Sequence, residues 1–484
     1  MAAGSRTSRE TMGKLSFMIV VAAVLLVTLQ PAWAATFTWD GSDSTDWATD
    51  GNWVNGTAPG SSDDVVIDGN YSGVGYTNPP TLDVSGGSVT IKSLSLGANN
   101  TSVLTIAFGS PTEKFIITNN CTIGTNGTLT HTTNYNAETH RIFMDVSNNF
   151  TIAQGGEINV KAKGYVTSGP GYDAKAAGYG GEGGQAVGTT YGSTYGSITA
   201  PTNLGSGCAY AGYAAGGAVI LTIGGIGTID GTICADGSAG LNYAPSGGSV
   251  YITAGAIAGS GTITADGGDG GGSNDGGGGR IAIVLTSGTD FGNITIHAYG
   301  GEAGVYHDAA AGTIYLEKST DPAGQGELIV DNDDGLVDDY GRMPKALLSK
   351  TVQKGDGPSS YVFSRITLTN AGVYALDSDD TLVITGTTIN GDSGDRYAGF
   401  YVEGGTLTIP SGAFTWTNYF IAMGTTGDKG GGIRQITVHR ERDVISEVEF
   451  GSIPEYDSTH SSAGNIRMNQ RSGCGRDSIT IVDY

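Results

Sequence analysis

GGAVILTIGGIGTIDGTICADGSAG at Gly216–Gly240, GGSVYITAGAIAGSGTITADGGDG at Gly247–Gly270, GGRIAIVLTSGTDFGNITIHAYGGEAG at Gly278–Gly304 and AGTIYLEKSTDPAGQGELIVDNDDG at Ala311–Gly335 are four copies of one pattern. They start 31, 31 and 33 residues apart. Each carries a short alternating apolar run, a Gly-rich turn, a second short run and an Asp/Gly/Asn corner. Period-two alternation predicts strands, and a fixed repeat predicts a solenoid or a propeller. A propeller blade needs roughly 40–50 residues and four strands. Two or three short strands in 31 to 33 residues suit one coil of a right-handed parallel β-helix better. In such a coil, equivalent positions stack about 4.8 Å apart, apolar residues face a continuous core, and Gly or Asn-Gly corners turn the chain.

Outward from these copies the pattern fades but persists. RIFMDVSNNFTIAQGGEINVKAKG at Arg141–Gly164 is a distant copy, and similar runs occur at Ser88–Leu96, Lys114–Thr130, Thr381–Asp392 and Thr406–Trp416. The expected fold class is therefore all-β: a solenoid over 81–430, interrupted by a Gly/Tyr-rich insertion at 165–215. Residues 35–80, with Trp39, Trp47 and Trp53, are expected to form an N-terminal cap over the first coils. An open β-helix end would otherwise offer an edge for pairing. Residues 431–484 concentrate arginine and lose glycine, and are expected to form a distinct charged tail or cap.

Before the cap, Arg6, Arg9 and Lys14 precede an apolar run at Leu15–Leu29 and then Ala32-Trp33-Ala34. This is the layout of a secretory signal peptide cleaved after Ala34. It predicts a secreted or cell-surface protein with no membrane span once the signal is removed.

Two passages carry a family resemblance. They are TFTWDGSDSTDWATDGNWVNGTAPGSSDDVVIDG at Thr36–Gly69 and GGSVYITAGAIAGSGTITADGGDGGGSNDGGGGRIAI at Gly247–Ile283. Both resemble Gly-rich, secreted or cell-surface bacterial β-helix proteins, autotransporter-passenger-like or adhesin-like. The resemblance implies a surface role on a β-helix. The chain departs from autotransporters after Gly430, where about 55 residues are too few for a C-terminal membrane barrel of alternating strands.

Composition narrows the partners. The chain has 82 glycines in 484 residues and a formal net charge of −23. The glycines lack collagen's period of three. The negative charge argues against nucleic acid. The four cysteines, Cys121, Cys208, Cys234 and Cys474, show no C-x-x-C zinc spacing. Three full pairings are open, with Cys208–Cys234 the expected pair and four free thiols the alternative.

Candidate chemistry is sparse. Asp236 and Asp266 share one place in adjacent repeats, so stacked coils bring their carboxylates near 5 Å apart, a separation that retaining glycosidases use. Corner chemistry is the leading reading of both, with a shared Ca²⁺ second. Asp331, Asp333 and Asp334 form a second acidic run able to take Ca²⁺ loosely, without EF-hand spacing. No other cofactor is implied. Tyr165, Tyr172, Tyr179, Tyr191, Tyr195, Tyr210 and Tyr213 in the insertion are the expected binding residues, because tyrosine rings make large, rigid contact surfaces; a loop folded onto the rod with half-buried tyrosines is the alternative. The six histidines lack metal spacing and are expected at the surface. The functional expectation is a non-enzymatic adhesin or matrix component that binds extracellular polysaccharide or a cell-surface protein. A polysaccharide lyase or glycoside hydrolase is the runner-up, to be favoured by acids, a Lys or Arg and an aromatic floor in one groove. A structural rod or filament subunit is the third reading.

Overall fold

A computed structural model describes residues 35–71, 74–83, 87–184, 192–209, 212–271, 274–302 and 309–333, and beyond them the stretches 351–352, 360–370, 372–376, 380–390, 399–402, 406–410, 420–423, 435–438, 448–452, 464–468 and 478–482. The expected signal at 1–34 lies outside the described residues. Among the described residues, apart from one 3-10 turn at Asp50–Asn52, the elements are all strands. No helix among the described residues is long and apolar enough to cross a membrane.

The repeat spacing reappears as strand register. Ala218, Ser249, Arg280 and Thr313 are successive parallel partners, separated by the same 31, 31 and 33 residues as the sequence copies. Parallel pairing in register stacks like on like. Ile142, Val219, Val250, Ile281 and Ile314 form one column, and Met144, Leu221, Ile252, Ile283 and Leu316 the next. A second parallel sheet stacks Leu104, Leu129, Ile158, Ile233, Ile263 and Ile296. All but Leu316 and Ile296 in these columns are buried, and those two pack against the same core cluster. Burying an aliphatic side chain contributes roughly 1.5–3 kcal/mol, so each added rung extends one apolar core rather than founding its own.

The Trp-containing segment lies on the first rung. Thr36–Thr38 pairs in parallel with Asp64–Ile67, which pairs with Ser93–Leu96. Trp53 stands edge-on to Trp39 and Trp47, with centroids 5.0 and 4.8 Å away, and Trp47 reaches Phe115 at 6.0 Å. Two of the three buried indole N–H groups donate to carbonyls, Trp53 Nε1 to Trp47 O at 2.8 Å and Trp39 Nε1 to Asn78 O at 2.9 Å.

The parallel order is interrupted once between these rungs and the C-terminal strands. Thr313–Glu317 and Glu327–Asp331 pair antiparallel, Ile314 opposite Ile329. The reversal runs through Ser319-Thr320-Asp321-Pro322-Ala323-Gly324, with Gly324 at φ +74° and its N–H donating to Glu317 Oε2. Parallel pairing then resumes through Ser360–Thr369, Thr381–Asn390 and Thr406–Pro410. A second core joins Tyr315, Leu328 and Phe363 to Tyr374 of Val373–Leu376 and Phe400 of Gly399–Val402. The Arg-rich tail supplies antiparallel partners: Ser478–Val482 pairs with Thr406–Pro410, and Gly464–Met468 with Phe420–Met423.

The Gly/Tyr-rich insertion is an enlarged connection. In three repeats a glycine N–H returns to an alanine carbonyl of the preceding corner at 2.7 Å: Gly248 to Ala235, Gly279 to Ala265, Gly312 to Ala298. The same bond from Gly217 goes to Val160 at 2.9 Å, so residues 161–216 span the place that a dozen residues fill elsewhere. Three of its tyrosines point inward, in keeping with the alternative of a loop folded onto the strands. Tyr165, Tyr179 and Tyr195 are buried. Tyr179 and Tyr195 pack at 4.5 Å, Tyr179 bonds to Ser249 Oγ at 2.6 Å, and Tyr195 Oη donates to Leu204 O at 2.6 Å. Buried Arg280 donates to Tyr195 O at 2.9 Å and to Thr313 Oγ1 at 3.0 Å, with its guanidinium over the Tyr179 ring. A Gly-rich loop has few side chains with which to bury its own backbone, so the buried tyrosines anchor it to the parallel strands that carry Ser249 and Arg280. Tyr172 is exposed, Tyr213 accepts the Leu241 N–H at 3.2 Å, and Tyr191 and Tyr210 lie outside the described residues. Tyr195→Phe is expected to lose about 1–2 kcal/mol in urea unfolding, because Leu204 O loses its donor, while Tyr172→Phe leaves the midpoint unchanged.

Among the described residues the expected Cys208–Cys234 disulfide is absent: the two are not bonded to each other, Cys121 and Cys234 are free thiols, and Cys474 lies outside the described residues. Cys121 and Cys208 are buried, and Cys234 is engaged elsewhere.

Candidate functional site

The second sheet determines what meets at its edge. Asn159, Cys234, Thr264 and His297 are successive register partners at the strand ends. Two residues further along each rung stand Lys161, Asp236, Asp266 and Tyr299. Main-chain bonds carry the stacking through this corner: Ala162 N–H to Asp236 O at 3.1 Å, Gly237 N–H to Asp266 O at 2.8 Å, and Gly267 N–H to Tyr299 O at 2.9 Å. One ammonium, two carboxylates and one phenol therefore form a single column.

The two carboxylates use the same device. Asp236 Oδ1 accepts the Asp266 N–H at 3.0 Å, and Asp266 Oδ1 accepts the Tyr299 N–H at 2.8 Å. Each acid thus caps the corner of the next rung. Asp230 and Asp269 do likewise for Ser260 and Glu302, so corner chemistry is a general use of aspartate in this chain. Asp236 Oδ2 also accepts the Cys234 thiol at 3.1 Å and lies 3.8 Å from Lys161 Nζ. That lysine is half exposed, so the pair is worth little in stability.

Asp266 has a further partner. His297 Nδ1 lies 2.9 Å from Asp266 Oδ1, and the Tyr299 ring stacks on the imidazole at 4.4 Å with 10° between planes. Burial opposes protonation of His297, but the Asp266 bond outweighs it, with Asp236 and Asp333 adding to the pull, and the imidazole is raised above its usual 6.5. Burial and neighbouring Asp236 raise Asp266, against the pull of His297. The pair therefore holds a proton to higher pH than its parts would alone. Burial and the nearby Asp331, Asp333 and Asp266 push the Tyr299 phenol up to about 12, so it stays neutral.

Lys161, Asp236, Asp266 and Tyr299 line one cavity of about 280 Å³ that runs across successive rungs from Lys161 to Asp333, and His297 supports it through Asp266 and Tyr299. Asp236, Asp266, Asp269, Glu302 and Asp333 wall it, Tyr299 contributes an aromatic surface, and Lys161 is the only cationic lining residue among those described. Such a groove repels polyanions and suits hydroxyl-rich or amine-bearing ligands.

The structure brings Asp236 and Asp266 together and places Asp333, with φ +49°, on the same cavity wall. Asp331 instead turns to Asn370, whose Nδ2 donates to it at 2.8 Å, and Asp334 lies outside the described residues. Both oxygens of Asp236 and Oδ1 of Asp266 are taken by hydrogen-bond donors. Among the described residues no group of three or more His, Cys, Asp or Glu side chains is arranged to hold a metal ion. Sequence reasoning placed Lys161 near the acids but missed His297 and Tyr299 as their neighbours. The signal was present: aligned at the strand ends, TICAD, TITAD and TIHAY place His297 after Thr264 and Tyr299 after Asp266. No protein-family model, curated protein or solved structure matches this chain.

Proposed function

We propose that the chain is a secreted or cell-surface right-handed parallel β-helix that holds a neutral or amine-bearing polysaccharide in the acidic groove, in a role of adhesion or matrix structure. The observation that carries this reading is the Tyr299 ring, stacked on His297 and set among carboxylates in a cavity crossing several rungs. A sugar ring offers C–H groups to an aromatic face and hydroxyls to carboxylates. The coil closure is supported by the double glycines. A Cβ on Gly247 would lie 2.1 Å from Ala265 O and one on Gly278 2.2 Å from Ala298 O, each an alanine of the same repeat, so each coil folds back on itself there. The right hand follows the strong preference of parallel crossover connections.

The test is a binding assay on chain 35–484 with hydroxyethyl cellulose, chitosan and polygalacturonate, each with and without Ca²⁺. Hydroxyethyl cellulose or chitosan is expected to bind and polygalacturonate is not. Tyr299→Ala is expected to weaken binding about 3- to 10-fold, the scale of one aromatic contact. Equal binding by Tyr299→Ala and the parent chain would move the ligand out of the groove, and Ca²⁺-dependent capture of polygalacturonate would reverse the charge argument.

A further inference from the structure

The groove has the parts of a reaction centre as well as a binding surface. Asp236 and Asp266 lie one rung apart in one column, joined by the Gly237 N–H to Asp266 O bond and by the Asp266 N–H to Asp236 Oδ1 bond. Parallel rungs repeat at about 4.8 Å, close to the ~5–5.5 Å between the carboxyl groups of retaining glycosidases and well short of the ~6.5–9.5 Å of inverting ones. The two acids also differ in company. Asp236 faces the Lys161 ammonium and the Cys234 thiol, and Asp266 faces His297. Two carboxyl groups in contrasting environments are what divides a proton donor from a nucleophile.

We propose that the groove hydrolyses the polysaccharide it holds, with retention at the anomeric carbon, Asp236 acting as nucleophile and Asp266, coupled to His297, as proton donor. This inference rests on the groove being a polysaccharide site. An Asp236 oxygen attacks the anomeric carbon as the glycosidic C–O bond breaks, and the leaving oxygen takes the proton held by Asp266. Asp266 then takes a proton from water, the water oxygen attacks the same carbon, and the ester bond to Asp236 breaks. The sum is one glycosidic bond and one water converted to two chain ends, with both carboxyl groups restored. His297 acts as a positioning residue, since it reaches the chemistry through Asp266.

The experiment incubates chain 35–484 with hydroxyethyl cellulose and with chitosan, and follows bound protein, new reducing ends and the anomeric configuration of the first product by NMR. Asp236→Asn and Asp266→Asn are run alongside, because an amide oxygen still accepts the next rung's N–H and preserves the corner. Cleavage with retained configuration is expected, falling at least about 100-fold in each variant while binding persists. His297→Gln is expected to shift the pH profile as well as lower the rate. Binding without new ends in the parent chain would overturn the inference and leave the binding reading standing. Inverted product would overturn the roles without recourse to any variant, and cleavage surviving both asparagine substitutions would do the same. Neither binding nor cleavage would overturn the polysaccharide reading beneath it.

Discussion

Gly312→Ala is expected to cost about 3 kcal/mol or more, whereas Gly109→Ala should change stability by no more than about 0.5 kcal/mol. The difference lies in what a methyl group would meet. A Cβ on Gly312 would stand 1.8 Å from the carbonyl oxygen of Gly279, with backbone carbons of Gly278 and Gly279 at 2.8 Å, while one on Gly109 has nothing within 4 Å. Gly279 cannot yield cheaply. Its carbonyl accepts the Thr313 N–H at 3.1 Å, its own N–H donates to Ala265 O, and the Gly312 N–H is held by Ala298 O. The clash repeats along the column, because a Cβ on Gly248 would meet Gly217 O at 2.0 Å and one on Gly279 would meet Gly248 O at 2.1 Å. Relief requires adjacent rungs to separate, which loosens the ladder and the Ile281–Ile314 contact together. Urea unfolding of the two variants beside the parent decides it. Similar midpoints for all three would mean that the Gly-rich layer is slack and that glycine is there for turning alone.

The same columns explain what could be read from the sequence. Register was legible because parallel stacking repeats the spacing of the copies residue for residue, and one set of aligned glycines was enough to place Ala218, Ser249, Arg280 and Thr313 opposite one another. The antiparallel turn after Glu317 was not, because Ala311–Gly335 keeps the strand pattern while the chain reverses through a turn that pattern does not register. Side-chain direction in the insertion was equally hidden: Tyr179 and Tyr172 have the same Gly-rich surroundings in sequence, yet one is buried against Ser249 and the other is exposed. The groove was half legible. Equivalent corner acids could be paired by counting, but His297 meets Asp266 only because Thr264 and His297 share a register position, and a search for metal spacing along the chain passes over a pair built across rungs.

Stability is expected to fall as pH drops from about 6.5 toward 4, through one group: His131. Its ring is fully buried, with Nδ1 2.8 Å from Thr132 O and Nε2 3.3 Å from the Ala218 N–H. Thr132 O can only accept and the Ala218 N–H can only donate, so the ring is neutral with its proton on Nδ1. Protonating Nε2 would set two N–H groups against each other inside the core. Burial, with nearby Lys163, His140 and Arg141 adding, pulls the imidazole down to about 3. The unfolded chain binds this proton near 6.5 and the folded chain refuses it until about 3, so the unfolded state gains protons first and stability is lost throughout that interval. The shift amounts to roughly 3–5 kcal/mol at its full extent. One competing group acts inside this interval: Asp266 is raised from 3.8, so its contribution has the opposite sign, and the difference between the parent and a chain lacking the His131 ring isolates His131. The others act elsewhere on the scale. Asp64, Asp68 and Asp321 are lowered from 3.8, so their contribution is lost only as pH falls through and below that value. The raised His297 acts with the opposite sign, its contribution being lost as pH rises through its folded value above 6.5. Urea unfolding at pH 7, 6, 5 and 4 should give a parent slope that exceeds the variant's by close to one proton below pH 6. His131→Gln, which keeps a donor and an acceptor but no titrating ring, should be less stable at pH 7 and lack that acid loss. Parallel slopes for the two chains would assign the acid sensitivity to the carboxylates and leave His131 as packing alone.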